Sequence, residues 1–138
     1  MEALIVYSNK NGTTRRYAET IANLIKRKFN SLKIKSIEEA SSEDIAGCDV
    51  LYLGCSTDGM MVFGQKPEQP WIDFVSKVPH MEGKKTVLFT TYKFSTGKVF
   101  QRMKLYLQPK GYKVIGSMKS QDGNLNYNTL AVLKYSVA

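Results

Sequence analysis

Ile5-Val6-Tyr7-Ser8-Asn9-Lys10-Asn11-Gly12-Thr13-Thr14-Arg15-Arg16-Tyr17-Ala18 passes from an apolar strand through a polar turn into a helix. Residues 3–8 are almost wholly apolar, which suits a strand buried on both faces of a parallel sheet. From Thr14 to about Phe29 the residues Tyr17, Ala18, Ile21, Leu24, Ile25 and Phe29 recur at helical spacing, with Arg15, Arg16, Lys26 and Arg27 on the wet side. Between strand and helix, every side chain from Ser8 to Thr14 except that of Gly12 is able to hydrogen-bond an anion. Position adds to polarity here: a helix N-terminus carries unpaired N–H groups and partial positive charge, so a phosphate placed there meets donors already oriented. Gly12 lets the backbone turn sharply or approach a ligand closely. The same residues also read as an ordinary turn and helix cap.

Working outward, residues 32–37 alternate as a strand at a sheet edge would, and Ser41-Ser42-Glu43-Asp44-Ile45 has the makings of a capped short helix. Residues 49–55 form a second buried strand, followed by a long loop. Pro70 suits the first turn of a helix whose stripe is Trp71, Phe74, Val75 and Val78. Residues 85–91 are the next strand. Ser95 or Thr96 is then placed to cap a helix burying Val99, Phe100, Met103, Tyr106 and Leu107, which Pro109 and Gly111 stop. Residues 113–118 form the last strand and residues 127–135 a closing helix, although Leu130, Val132 and Leu133 also suit a strand. Such alternation predicts an α/β domain with a five-stranded parallel sheet, right-handed crossovers and helices on both faces. Ligands of such sheets lie beyond the carboxyl ends of the strands where strand order reverses, which directs attention to the loops beginning near Ser8, Ser56 and Thr91.

With those residues in place, the chain resembles the flavodoxin family. The stretch from Ile5 to Ile21 is similar to the family's apolar strand, S/T-x-x-G-x-T turn and T-x-x-x-A helix start, with Asn9 standing where Ser or Thr is usual. The resemblance implies a three-layer sandwich of strand order 2-1-3-4-5 and flavin mononucleotide (FMN) as cofactor, its phosphate taken by Asn9, Asn11, Thr13 and Thr14 with nearby amides, among them those of Ser8, Lys10 and Gly12. Asp49 to Gly59 is similar to the third strand and the loop along one face of the flavin ring, which points to Ser56, Thr57, Asp58 and Gly59. Asp58 replaces a frequent tryptophan, leaving Met60, Met61 or Phe63 as substitutes for its packing surface. After the fourth strand, Thr91, Tyr92 and Phe94 are the contacts implied for the opposite face.

At 138 residues the chain fits one domain, with 43% hydrophobic and 23% charged residues, as in soluble globular proteins. No apolar run approaches the roughly 20 residues needed to cross a bilayer, and the first residues carry no signal pattern. Cys48 and Cys55 flank one strand, too far apart to bond. These features together predict a cytoplasmic protein. Lys and Arg total 20 against 12 Asp and Glu, a formal +8, which favours anionic ligands or partners. The cations are scattered and no nucleic-acid motif accompanies them. G-x-G-x-x-G is absent, Gly97-Lys98 is followed by Val99 rather than Ser or Thr, and neither cysteine precedes an arginine at phosphatase spacing. A receiver domain needs acids after the first strand and an aspartate ending the third, where this chain has Ser8-Asn9 and Cys55-Ser56. His80 reads as a surface residue and Trp71 as core.

The chain supplies a flavin cradle and little else, so the resemblance implies an electron carrier. Flavodoxins usually carry excess acid; the surplus of base here implies redox partners with an acidic docking surface. Lys10, Arg15, Arg16, Lys93 and Lys98 fall near the ligand end and should favour the fully reduced, anionic ring. Two alternatives stand beside the carrier: a flavin-dependent oxidoreductase acting on a quinone or porphyrinogen, and a binding module that kept the fold and lost FMN.

Overall fold

A computed structural model describes residues 1–8, 12–60, 63–93 and 95–137, with 58–60 and 63 described by backbone alone. The strands are β1 (Glu2–Tyr7), β2 (Ser31–Ser36), β3 (Val50–Met60), β4 (Phe63–Pro67), β5 (Lys85–Thr91) and β6 (Lys113–Ser120). The helices are α1 (Gly12–Ile25), α2 (Ser42–Gly47), α3 (Gln69–Lys77), α4 (Val99–Leu107) and α5 (Tyr127–Ser136). β2, β1, β3, β5 and β6 lie side by side in that order, all parallel. This path is the expected 2-1-3-4-5.

A sixth strand departs from the expected five. Where the sequence reads as a long loop, β3 runs on to Met60 and β4 returns antiparallel to it, pairing Thr57 with Pro67 and Asp58 with Lys66. Gly59, Gly64 and Pro67 are residues that strands avoid, which hides the hairpin from propensity. They are tolerated because β4 pairs only with β3, and Pro67 sits at its last position.

Side-chain alternation along β1 sorts the core into two layers. Ala3, Ile5 and Tyr7 face α1 and α5, packing with Tyr17, Ile21, Tyr52, Phe89 and Leu133. Leu4 and Val6 face the other way, packing with Ile45 of α2, Trp71 and Val75 of α3, and Val99, Met103 and Leu107 of α4. Fully buried strands on both faces explain the continuous apolar runs.

Two expectations around α4 need correction. Neither Ser95 nor Thr96 caps it: the N-cap is Lys98, without a side-chain bond, while the Ser95 hydroxyl accepts from the Gly97 amide at 3.1 Å. Gly97, at φ +49°, inserts a left-handed residue that separates both hydroxyls from the first turn. Tyr106 is not buried but 42% exposed, resting edge-on against Trp71 with ring centroids 6.3 Å apart. The α2 cap is as the sequence reads. Ser41 Oγ accepts from the Asp44 amide and the Asp44 carboxylate accepts from the Ser41 amide.

Two measurements check this packing. A Cβ at Gly54 would lie 2.1 Å from the Phe89 ring, itself edge-on to Tyr17, so Gly54→Ala should destabilise the protein by about 2–3 kcal/mol in urea denaturation; an unchanged midpoint would contradict the contact. Lys35 Nζ, 2.8 Å from Asp44 Oδ2, and then the Ser41 amide hold the Asp44 carboxyl down from 3.8 to about 2. A carboxyl depressed by folding stabilises fully above its unfolded pKa and loses that contribution as pH falls through about 2. Asp44→Asn should therefore be less stable than the parent at neutral pH, with the difference closing by about pH 2.

Candidate functional site

The carboxyl ends of β1, β3 and β5 meet, as parallel neighbours in register must. The Ser8 amide donates to the Gly54 carbonyl at 3.0 Å, extending β1 by one residue along β3, and Ser56 lies opposite Thr91 where β3 last pairs with β5. Ser8 is 1% exposed, and its hydroxyl has no hydrogen-bond partner among the described residues. Buried hydroxyls in that condition are uncommon away from ligand or water sites.

α1 begins at Gly12, earlier than the helical periodicity alone suggests, so Gly12, Thr13 and Thr14 form its first turn rather than a loop. No acid lies in that turn, and the amide ends keep their positive partial charge. Among the described residues no atom lies within 4 Å of a Cβ built at Gly12. Thr14 is buried, and its hydroxyl shares a 2.7 Å hydrogen bond with that of Thr91, fixing the start of α1 against the end of β5. A segment that sequence reading passes over flanks this corner. Gly123, after β6, sits so close to the Thr13 carbonyl and Arg16 that a Cβ would lie 3.1 Å from each, and its carbonyl accepts from Thr20.

On the β3 side, the hydroxyls of Ser56 and Thr57 are engaged by the protein. Ser56 Oγ donates to Glu68 Oε2 at 2.9 Å, and Thr57 Oγ1 lies 2.8 Å from Thr90 Oγ1. What the stretch has left to offer a ligand is chiefly backbone. On the β5 side, Tyr92 is half-buried, anchored by its amide to the Ser120 carbonyl at 3.3 Å, and the Lys119 ammonium lies 5.7 Å from its ring centroid. Lys119 is an exposed cation at this end that the sequence did not single out. Arg15 is engaged with Glu19 at 3.0 Å. Ser8, Gly12, Thr13, Thr14, Ser56, Thr57, Thr91 and Tyr92 thus gather at one end of the sheet. Asn9, Lys10, Asn11, Met61 and Phe94 lie outside the described residues, and Asp58, Gly59, Met60 and Phe63 enter only through the hairpin backbone.

Of the residues read as structural, Trp71 is fully buried and His80 is exposed beside Glu82. No disulfide joins Cys48 and Cys55, both buried. Among the described residues no acidic, His and Cys cluster suits a metal ion, and no helix is long and apolar enough to cross a membrane.

The family model for the flavodoxin domain matches residues 4–136. The chain belongs to the flavodoxin family. It is 28% identical over 113 residues to the flavodoxin of Megasphaera elsdenii, covering 82% of this chain and 81% of that one. With the flavodoxin of Clostridium beijerinckii it is 31% identical over 94 residues, 68% of this chain and 67% of that protein. The solution structure of two-electron reduced M. elsdenii flavodoxin shares the fold, with a TM-score of 0.80, 23% identity and 98% coverage of both chains. This flavodoxin is accordingly an FMN-binding electron-transfer protein. Its residues fit that cofactor: a buried hydroxyl without a partner among the described residues precedes a helix N-terminus whose first turn carries no acid.

Replacing Thr91 by Val keeps the branched shape and removes the bond to Thr14 in a buried position. Stability of the FMN-free protein should fall by about 1–3 kcal/mol, read by urea denaturation, and equal midpoints would refute the link.

Proposed function

We propose that FMN lies across the ends of β1, β3 and β5. The phosphate is held by the amides that open α1, by the side chains of Asn9, Asn11, Thr13 and Thr14, and by donors from Ser8, Lys10 and Gly12. The backbone of Ser56-Thr57-Asp58-Gly59 borders one face of the ring, and Thr91 with Tyr92 or Phe94 borders the other. The observation that carries this reading is the buried Ser8 hydroxyl, without a partner among the described residues, close to a helix start held by the Thr14–Thr91 bond.

Bound FMN supplies the chemistry of taking up and releasing electrons. The protein's residues set where that occurs and at what potential. Backbone amides and hydroxyls bind the phosphate without rearrangement, because the sheet and α1 already hold them. Tyr92 excludes water from the ring while its hydroxyl stays wet. Lys93, Lys98 and Lys119, all exposed, raise the local positive potential, favouring added electrons on the ring and docking by an acidic partner. Asp58 acts in the opposite sense, by an amount that depends on its burial. We place the protein in the cytoplasm, which reduced, buried Cys48 and Cys55 suit. Neither an enzyme with a quinone or porphyrinogen substrate nor a module without cofactor is favoured by the family match.

Protein reconstituted with FMN tests the reading by potentiometric titration at low ionic strength. The potential for the second electron should be less negative than in an acidic flavodoxin, and replacing Lys93, Lys98 and Lys119 by Gln should make it more negative. A potential as low as that of acidic flavodoxins, or one indifferent to the three substitutions, would refute the electrostatic part of the proposal.

A further inference from the structure

Glu68 follows the last residue of β4 and is fully buried. Taking a carboxylate out of water costs several kcal/mol unless its oxygens find donors, so its surroundings bear on why it is there. It occupies the N-cap of α3, where its carbonyl accepts from the amides of Trp71 and Ile72, yet its side chain makes no capping bond to that helix. The carboxylate reaches instead across to β3. Oε2 accepts from the Ser56 hydroxyl at 2.9 Å and Oε1 faces the Ser56 amide at 3.5 Å.

Ser56 is the residue at which β3 changes partners. Through Ser56 it pairs in parallel with β5; from Thr57 onward it pairs antiparallel with β4. The Thr57–Pro67 pair and the Glu68–Ser56 bonds therefore close the base of the β3–β4 hairpin side by side. Just beyond that base β3 carries Asp58, paired with Lys66, and Gly59, on the edge proposed above for one flavin face. A buried polar residue of β4 ties the hairpin to the loop before α4: Gln65 packs against Gly97 so closely that a Cβ there would lie 2.6 Å from Gln65 Oε1.

We propose that Glu68 is a positioning residue for the flavin site, fixing through Ser56 the direction in which β3 leaves the sheet and so the height of the backbone along the ring. The inference rests on the placement of FMN given above. Glutamine in its place keeps the volume but replaces one acceptor oxygen with an NH2 group, so it cannot accept both Ser56 donors. Alanine at Ser56 removes the hydroxyl and leaves the carboxylate.

The test compares Glu68→Gln, Ser56→Ala and the double variant with the parent, by fluorescence titration of FMN, the absorption spectrum of the bound flavin and the thermal midpoint of the FMN-free proteins. Each single variant should weaken FMN binding by about tenfold and shift the bound spectrum. The double variant should be little worse than either, because both act on one link. Ser56→Ala, a small change, carries the test if Glu68→Gln does not fold. Parent protein that binds FMN while Ser56→Ala and any folded Glu68→Gln bind it unchanged overturns the role of Glu68 alone. The role is likewise overturned by variants that lower the thermal midpoint without altering affinity or spectrum. Parent protein that takes up no FMN overturns the cofactor placement and the role of Glu68 with it.

Discussion

The hydrogen bond between the hydroxyls of Thr14 and Thr91 joins two segments that are 77 residues apart in sequence. One end belongs to the first turn of α1 and the other to the last residue of β5, so this buried contact ties the helix amides to the strand ends. A phosphate site built from amides is only as good as the placement of that helix, since the donors have no freedom of their own. Ser8 depends on the same arrangement. Its amide completes the pairing of β1 with β3, which leaves its hydroxyl at the junction without a protein partner among the described residues.

Below that junction the sheet is held by close fit on both faces. Gly54 is the clearest instance: the Phe89 ring fills the space a side chain would take, and Tyr17 of α1 meets the same ring edge-on. The Tyr17 hydroxyl, 2.5 Å from that of Thr129, links α1 to α5, and burial pushes its pKa up to about 12. On the opposite face, the Lys110 ammonium donates to the carbonyls of Val75, Ser76 and Val78, each at 2.8 Å, closing the C-terminal end of α3. Most buried side-chain polar atoms of the layers are thus paired with one another; among the described residues the Ser8 hydroxyl and the Trp71 indole N–H are left without a partner.

Much of this was legible in the sequence because burial on both faces writes itself as uninterrupted apolar runs. Residues 3–8, 49–55 and 85–91 were readable for that reason, as were α1 from its stripe and the α2 cap from Ser41 and Asp44. The β3–β4 hairpin was not legible, since Gly59, Gly64 and Pro67 argue against strands and only pairing at the sheet's margin makes them acceptable. The start of α4 was misread because the left-handed Gly97 displaces the hydroxyls that would otherwise cap it. Site residues that act through distant contacts gave no local signal: Glu68 looks like a solvated acid before Gln69 and Pro70, and Lys119 like one cation among many. Once folded, one is buried against Ser56 and the other stands over Tyr92.

In the proposed placement, capture of a terminal phosphate at the opening of α1 is the step on which the function turns. Riboflavin presents the same ring as FMN without that group, so the two ligands isolate it. Fluorescence titration of the FMN-free protein with each, at equal ionic strength, should show FMN bound at least ~100-fold more tightly, as expected for several charge-assisted hydrogen bonds. Equal affinities would contradict the placement of the phosphate at the helix start.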